Sequence, residues 1–312
     1  MEAGNDRLAH PKAILVATNL SDLPRLMPFA LKMASESGAR LQLLHAIPAS
    51  AEFAADATGM PYYDPHAAIA EANNMLEPWC ERAKKLGLQC TAIVRDAHPA
   101  AREIIEAVNH FHPDRLILGT RSLGRLGKLL LGSVAEQVLR SANLPVFTIG
   151  PEAHLQDDKD CQPAILFATT LGEGHQANAA LACHLAKTQR ARLVMLHVLP
   201  VVNESQKNTS NVLSEAITCE LNHLAARISE GTDSDTEIKV AHGNPADQIF
   251  AEAEAIKARL IVMGAADHSM FDSIAHDRTV CRVLAHAHCP VLSLHGVTAE
   301  RFQNEVQAVA IH

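Results

Sequence analysis

Ala13-Ile-Leu-Val-Ala-Thr18 is an apolar run that ends in a threonine, and it recurs in the second half of the chain as Ala164-Ile-Leu-Phe-Ala-Thr169. Further paired segments follow in the same order along both halves: Ala39-Arg-Leu-Gln-Leu-Leu-His45 with Ala191-Arg-Leu-Val-Met-Leu-His197, Leu116-Ile-Leu-Gly119 with Ile261-Val-Met-Gly264, and Leu144-Pro-Val-Phe147 with Cys289-Pro-Val-Leu292. Because ordered matches over a whole half are not expected of unrelated aliphatic strands, the sequence predicts two copies of one domain.

Each half alternates short aliphatic runs with segments of helical periodicity. In the first half the apolar runs predict five strands, at residues 12–18, 40–46, 90–95, 115–118 and 145–149. Helices are predicted between them, at residues 23–38 and 66–87, from Pro99 as the first helical residue, and from residue 133. Near-continuous aliphatic strands alternating with helices are typical of a parallel sheet covered on both faces. The sequence therefore predicts an α/β chain of two tandem doubly wound domains, each an open five-stranded, mainly parallel sheet.

Domain boundaries follow from a change in composition near the middle of the chain. Residues 152–162 are polar and charged, with Asp157, Asp158, Lys159 and Asp160 in succession, as expected of a surface linker. The predicted division is a first domain at 1–152, a linker at 153–162, a second domain at 163–297 and a C-terminal tail at 298–312.

The composition excludes several classes of protein. A formal net charge of −8, with no sustained run of Lys or Arg, argues against nucleic-acid binding. No apolar segment reaches the roughly 18 residues that a membrane-spanning helix needs, and the polar N-terminus lacks the apolar core of a signal peptide. Seven cysteines without regular spacing indicate reduced thiols. We therefore expect a cytoplasmic protein that binds neither nucleic acid nor a membrane.

The richest local pattern is a glycine-rich segment (residues 119–133) that reads Gly119-Thr-Arg-Ser-Leu-Gly-Arg-Leu-Gly-Lys-Leu-Leu-Leu-Gly-Ser133. It joins a predicted strand to a predicted helix, so backbone amides and the helix N-terminus favour an anion there. Doubly wound sheets bind ligands beyond the carboxyl ends of their strands, where the strand order reverses. Thr18, Asn19 and Gly119 all lie at such ends. The segment therefore predicts a nucleotide-phosphate pocket.

With these residues in view, the chain resembles a tandem universal stress protein, two UspA-type domains in one polypeptide. The resemblance rests on Ile14-Leu-Val-Ala-Thr-Asn-Leu-Ser21, on residues 41–45, and on the glycine-rich segment with the Val-Ala-Glu-Gln-Val-Leu that follows it. It covers nearly the whole chain outside the linker and termini. It implies a Rossmann-like fold of the adenine-nucleotide alpha hydrolase kind. It also implies pairing of the last strands of the two domains, for which residues 146–149 and 291–294 are the candidates.

The resemblance further implies a set of nucleotide contacts in the first domain. The residues expected to border the nucleoside and its base are Ala17, Thr18, Asn19, Ala46 and Leu118. Those expected around the phosphates are Gly119, Ser122, Gly132, Ser133 and Val134. Arg121 and Lys128 lie in the same segment and could pair with a phosphate, although neither is a fixed ligand of the family.

Two of these positions depart from the pattern of the family. Its nucleotide signature is a glycine, two residues, a glycine, nine residues, then Gly-Ser or Gly-Thr, and here Ser122 replaces the second glycine. Asn19 stands where the family usually has an acidic residue. Asn19 is equally interpreted as a simple turn residue or a helix cap, a role also open to Ser21 and Asp22.

The second half departs further from the signature. Thr170 takes the place of Asn19, Asp267 follows Gly264 by three residues, and Asp277-Arg278 replaces the Gly-Ser pair. Two carboxylates where phosphates should lie would repel the ligand more than one arginine offsets. We therefore expect nucleotide binding in the first half alone.

Histidines and cysteines invite other interpretations, which the spacing does not support. His286 and His288 lie near a predicted helix end, and no CxxC or HExxH pattern accompanies them, so no metal site is expected. His45 and His197 are predicted to be packed or hydrogen-bonded. Cys80 and Cys90 could be redox-sensitive, but all seven cysteines are interpreted as structural.

The predicted function is that of a stress-response regulator whose first domain senses adenine nucleotide, with ATP as the expected ligand. A Mg²⁺ ion accompanying the nucleotide and a homodimer of the chain are left open. The alternative is a nucleotide-independent scaffold or chaperone-like protein with both pockets degenerate. An ATP-hydrolysing enzyme is a weaker third interpretation, because no base or metal-holding carboxylate accompanies the segment, and the chain is expected not to be an enzyme.

Overall fold

The computed structural model describes residues 11–47, 54–55, 61–62, 64–96, 99–123, 129–155, 162–172, 174–201, 207–228, 235–265 and 274–295. The predicted tail at 298–312, the centre of the predicted linker, Lys128 and Asp267 lie outside these ranges. The side chains of residues 121–130 and 274–278 are likewise outside what the structure describes.

The first half follows the predicted alternation of strands and helices. Its elements are β1 (Ala13–Ala17), α1 (Leu23–Ser37), β2 (Arg40–Ala46), β3 (Ala54–Ala55), β4 (Pro61–Tyr62), α2 (Pro65–Lys85), β5 (Cys90–Arg95), α3 (Ala100–Phe111), β6 (Arg115–Gly119), β7 (Arg121–Leu123), β8 (Leu129–Leu131), α4 (Ser133–Ser141) and β9 (Val146–Ile149). Several boundaries differ from prediction by one or two residues, and Pro99, predicted as the first helical residue, has an extended backbone and caps α3 from outside.

The second half repeats this order. Its elements are β10 (Ala164–Ala168), α5 (His175–Thr188), β11 (Arg192–Leu199), α6 (Lys207–Ile228), β12 (Thr236–His242), α7 (Pro245–Ala255), β13 (Ala258–Ala265), α8 (Ile274–His286) and β14 (Val291–His295). Among the helices within the described ranges, none is both long enough and apolar enough to span a bilayer.

Ten of these strands form one continuous sheet, in the order β12-β11-β10-β13-β14-β9-β6-β1-β2-β5. Neighbouring strands within each half are parallel, whereas β14 and β9 pair antiparallel, with Val291 opposite Thr148. The α/β class, the two doubly wound halves and the pairing of the last strands are therefore confirmed. In separate domains β9 and β14 would each be an exposed edge strand. Here the two strands satisfy each other's hydrogen bonds within one chain.

The core lies on both faces of this sheet, as aliphatic strands require. Ile14, Leu15 and Val16 have no exposed surface, and alternate residues point to opposite faces. Helices α1, α2, α5 and α6 cover one face, while α3, α4, α7 and α8 cover the other. Each core contains residues of both halves, so the hydrophobic packing is continuous across the β9–β14 seam.

Side-chain hydrogen bonds also cross this seam. The buried hydroxyl of Thr148 donates to the Val291 carbonyl over 3.1 Å, and that of Thr120 donates to the Leu284 carbonyl over 2.9 Å. A Cβ at Gly150 would lie 3.2 Å from the Leu284 carbonyl oxygen, a tight contact, so a larger residue there would require α8 to shift slightly. The carboxyl ends of β9 and β6 are thereby held against the last turns of α8.

The strand order identifies where a ligand would enter each half. From β1 the chain first builds outward to β2 and β5, and it then crosses to the other side of β1 to form β6. The order therefore reverses between β1 and β6, and the same reversal occurs between β10 and β13. In doubly wound sheets this reversal opens a crevice at the carboxyl ends of the strands.

Candidate functional site

The carboxyl end of β1 continues into a compact turn around Thr18. The buried Thr18 hydroxyl donates to Asp22 Oδ1 over 2.5 Å and accepts the Leu20 amide over 2.9 Å. Leu20 has a φ of 71°, a left-handed conformation that such local bonds help to hold. These local bonds hold the turn that leads the chain from the end of β1 into α1.

Asn19 lies at the exposed crest of this turn. Its side-chain oxygen accepts the Asp22 amide over 3.1 Å and the Ser21 hydroxyl over 2.9 Å. This is the geometry of the turn residue that was one of its two predicted roles. The amide oxygen of Asn19 is thus engaged within the turn, while the residue remains at the mouth of the crevice.

Asp22 links this turn to the end of β6, where Gly119 lies. A Cβ at residue 119 would fall against the Asp22 carboxylate and 3.3 Å from Arg25 Nη2. Burial raises the pKa of Asp22 above its ordinary value, while the Thr18 hydroxyl and the charge of Arg25 lower it. The sequence placed Asp22 only at a helix cap, although α1 has no side-chain cap there. The clue in the sequence was Gly119 directly after an apolar run, because a glycine at the end of a strand often marks a place where another chain segment approaches closely.

His45 and Ala46 end the neighbouring strand β2. His45 Nδ1 donates to the Thr18 carbonyl over 2.9 Å, and in the second half His197 Nδ1 makes the same bond to the Thr169 carbonyl over 2.9 Å. The predicted structural role of these histidines is therefore confirmed in both copies. Burial is the main cause that lowers the pKa of each imidazole below the ordinary value of 6.5.

The two matched histidines should make the fold sensitive to acid. As the pH falls through 6.5, the unfolded chain takes up protons that the folded chain resists, so the free energy of unfolding should decrease. We expect the wild-type chain to lose more stability between pH about 7.5 and about 5.5 than a chain carrying His45→Gln and His197→Gln, measured by urea unfolding. Exposed His66→Gln serves as the control. An equal loss in the double variant would contradict this coupling.

The glycine-rich segment differs from the predicted loop. Within it β7 and β8 pair as an antiparallel hairpin, with Arg121 opposite Leu131 and Ser122 opposite Leu130. In such a pair alternate residues direct their backbone groups across the hairpin, and β8 packs on α8 of the second half. Arg121 and Ser122 lie on the hairpin, and their predicted contacts with phosphate stay predictions.

The end of the segment keeps the expected geometry for an anion. Gly132 occupies the N-cap position of α4 with a φ of −67° and ψ of 142°, and as a glycine it offers no side chain to cap the helix. Ser133 and Val134 are exposed in its first turn. The first amides of a helix have no intrahelical acceptor, and the helix dipole places partial positive charge there. An anion at Gly132, Ser133 and Val134 would meet these amides, so the predicted phosphate contacts of the three residues stay predictions.

The second half reproduces the turn after its first strand but differs at the glycine. The Leu171 amide donates to the Thr169 hydroxyl over 3.0 Å, and Leu171 has a φ of 59°, as in the first half. A Cβ at Gly264 would fall against the buried amide of Asn178, where the first half has a carboxylate. Gly132-Ser133 lies at the start of α4, so Asp277-Arg278 was expected at the start of the matching helix. Asp277 and Arg278 instead lie inside α8, which spans Ile274–His286.

The structure also contains a cavity of about 440 Å³ between α1 and α5, away from this crevice. Its described lining includes Phe29, Lys32, Arg115, Phe147 and Arg259, and it does not include Thr18, Asn19 or Gly119. Arg115 is buried over the Phe147 ring, and desolvation lowers its pKa to about 10. This cavity is separate from the predicted nucleotide contacts.

Comparisons with known proteins agree with this architecture. A model of the universal stress protein family matches residues 11–150 and 163–295. A universal stress protein of Thermus aquaticus is 31% identical over 147 residues, which cover 44% of this chain and 98% of that protein. A universal stress protein A-like protein of Arabidopsis thaliana is 30% identical over 96 residues, and the match spans 30% of this chain and about half (52%) of that relative's length.

Solved structures show the same fold over nearly the whole chain. A universal stress protein from Archaeoglobus fulgidus superimposes with a TM-score of 0.62 at 20% identity, covering 91% of this chain and 98% of its own. A universal stress protein solved in complex with cAMP matches at a TM-score of 0.33 and 24% identity, over 45% of this chain and 97% of its own.

Proposed function

Since the chain belongs to the universal stress protein family, represented here by two tandem copies of the domain, we propose that its first half binds an adenine nucleotide, with ATP as the ligand, and that the chain acts as a nucleotide-dependent stress regulator. The second half acts as a structural partner that does not bind ATP. The cytosolic setting expected from the sequence is part of the same proposal.

One observation carries this proposal. Thr18 and Asn19 at the end of β1 lie beside Gly119 at the end of β6, at the point where the strand order reverses, because Ala17 and Leu118 pair directly. Ligands of doubly wound sheets enter at this reversal. The start of α4, with Gly132 at its N-cap, follows β6 after the β7–β8 hairpin. The proposed nucleoside pocket and the proposed phosphate site would therefore both belong to the first half.

The proposed contacts divide between these two places. The nucleoside lies against the ends of β1, β2 and β6, at Ala17, Thr18, Asn19, Ala46 and Leu118. The phosphates meet the backbone amides at the start of α4, at Gly132, Ser133 and Val134. Gly119 lies between them, and a Mg²⁺ ion would accompany the phosphates. Such amides supply hydrogen bonds and a favourable potential without a lysine or arginine.

The stoichiometry of the intact chain tests this proposal. We expect isothermal titration of the full chain with ATP to give one site per chain, and a parallel titration in EDTA to report the contribution of Mg²⁺. AMP should bind more weakly than ATP, since it lacks the distal phosphates. Two sites per chain would contradict the confinement to the first half, and the absence of binding would contradict the proposal as a whole.

A second function has its own support, that of a nucleotide-independent scaffold. The β7–β8 hairpin pairs some of the backbone groups that a phosphate loop would offer to its ligand, and β8 packs on α8 of the other half. In this role the segment joins the halves and binds no anion. The two functions predict opposite outcomes of a thermal-shift measurement, which should show stabilisation by ATP only if the first proposal holds.

We further propose that the nucleotide is bound without being turned over. The carboxylate nearest to Gly119 belongs to Asp22, whose Oδ1 accepts from the Thr18 hydroxyl and the Asn19 amide, and the side chain is buried. A general base must reach the attacking water with a free acceptor. Long incubation with ATP should therefore release no phosphate above the rate of a blank without protein.

A further inference from the structure

Two cysteines that the sequence assigned a purely structural role lie in contact with each other. Cys80 is on α2 and Cys90 begins β5, and their Sγ atoms are 2.8 Å apart. We propose that Cys80 and Cys90 form an oxidisable dithiol, a modification site that a peroxide converts to an intramolecular disulfide. The inference does not depend on nucleotide binding, because neither residue belongs to the proposed contacts.

The fold holds the pair in place from both sides. Helix α2 packs along β5, which is the outermost strand of the sheet on this side. Cys80 is 1% exposed within the core beneath the helix, whereas Cys90 is partly exposed at the start of the edge strand. The two thiols need only a small further approach to reach the roughly 2.05 Å of a disulfide bond. Small oxidants have access from the side of Cys90.

The surroundings favour a thiolate on Cys80. A hydrogen bond between the two sulfurs, in which Cys90 donates once Cys80 is ionised, lowers the pKa of Cys80, and the charge of Lys84 acts in the same direction against Glu77 and Glu81. The same pairing raises the pKa of Cys90. The thiolate is the nucleophilic form of cysteine, so Cys80 reacts first and Cys90 keeps its proton for the second step.

The chemistry balances with hydrogen peroxide as the oxidant. The Cys80 thiolate attacks one peroxide oxygen, the O–O bond breaks, and hydroxide leaves and is protonated by solvent, so that Cys80 becomes a sulfenic acid. The Cys90 sulfur then attacks the Cys80 sulfur, the S–S bond forms, and the sulfenic oxygen leaves with the Cys90 proton as water. Two thiols lose two electrons in all, and one peroxide is reduced to two waters.

The disulfide would fasten the C-terminal part of α2 to the edge strand. It closes a short loop between residues 80 and 90, which restricts the unfolded chain more than the folded one. We expect the apparent Tm to rise by roughly 5 °C on oxidation and to return on reduction with dithiothreitol. Transient disulfides of this kind are a known form of redox sensing in reducing compartments.

The full chain allows a direct test. Trp79, the one tryptophan of the sequence, is next to Cys80, and a disulfide at this position should quench its fluorescence. After treatment with hydrogen peroxide we expect loss of two alkylatable thiols, a peptide linking Cys80 to Cys90 by mass spectrometry, and quenching that dithiothreitol reverses.

Matched variants separate this pair from the other cysteines. Cys90→Ser changes the partly exposed member and should abolish the linked peptide, the rise in Tm and the quenching, leaving at most an oxidised Cys80 that mass spectrometry detects by its added oxygen. Cys219→Ser, at an exposed position of α6, should retain all three responses. A wild-type chain that keeps both thiols alkylatable after peroxide, or that links either cysteine to another one, would overturn the proposal.

Discussion

Gly132→Asp is expected to weaken ATP binding by at least tenfold, about 1.4 kcal/mol, while leaving the fold as stable as before or more so. Gly132 is the N-cap of α4 and has an ordinary negative φ, so its backbone accepts any side chain. Aspartate is a preferred N-cap residue and favours the positive end of the helix dipole. The same carboxylate would take the amides of Val134 and Ala135 and repel the phosphates. Isothermal titration and thermal unfolding of the same preparation measure both effects.

Gly132→Asn is the matched control for this charge. Asparagine caps a helix about as well as aspartate and has nearly the same shape, but it is neutral. It should therefore keep much more of the ATP affinity than Gly132→Asp at similar stability. If the Gly132→Asp and Gly132→Asn variants bind ATP equally well, the phosphates do not lie at the start of α4, and this part of the proposed site is wrong.

Gly119→Ala is expected to destabilise the chain by about 1–3 kcal/mol, measured as the shift of the urea unfolding midpoint. The new Cβ would fall against the Asp22 carboxylate, which the Thr18 hydroxyl and the first turn of α1 hold in place. One of these groups would have to move, and buried side chains have little free space. The cost would arise without any ligand present.

A double-mutant cycle tests this cause. Asp22→Ala removes the carboxylate, so adding Gly119→Ala in that background should cost clearly less than it does in the wild type. Gly264→Ala provides a parallel test in the duplicate, where the Asn178 amide takes the place of the carboxylate. Strictly additive effects of Asp22→Ala and Gly119→Ala would show that the two residues do not meet.

The glycine at 119 thereby gains a second explanation. The pattern Gly-x-x-Ser followed by Gly-Ser pointed to close approach of a phosphate. The structure shows that a close approach does occur at this glycine, but that the approaching group is the protein's own Asp22. The start of α4 is therefore the stronger part of the proposed phosphate site, and the Gly132 variants test it independently of Gly119.

Much of the molecule could be predicted because its signals are local. The aliphatic run at 13–17 is buried on both faces, so it shows no alternation and indicates a parallel strand. Its duplicate at 164–168 is buried in the same way. His45 and His197 were recognised as structural because they end matched strands, and both bond to the carbonyl of a matched threonine.

Other features were not predictable, because they depend on residues far apart in the chain. Residues 129–131 were part of the predicted phosphate loop, but they form β8, which pairs with β7 and packs against α8 of the other half. Asp22 looked like a helix cap, and its approach to Gly119 depends on β6 adding beside β1. Cys80 and Cys90 carried no motif, and α2 brings their sulfurs together by packing on the edge strand.

The amino-acid sequence by itself determined the duplication, the order of strands and helices and the parallel character of each half, since burial on both faces and helical periodicity are written in neighbouring residues. Only the tertiary structure decided that Asp22 approaches Gly119 between β1 and β6, how the glycine-rich segment folds and which thiols meet. The physical reason is that these outcomes depend on contacts between side chains and backbone from separate elements, whose distances are set by packing and not by spacing along the chain.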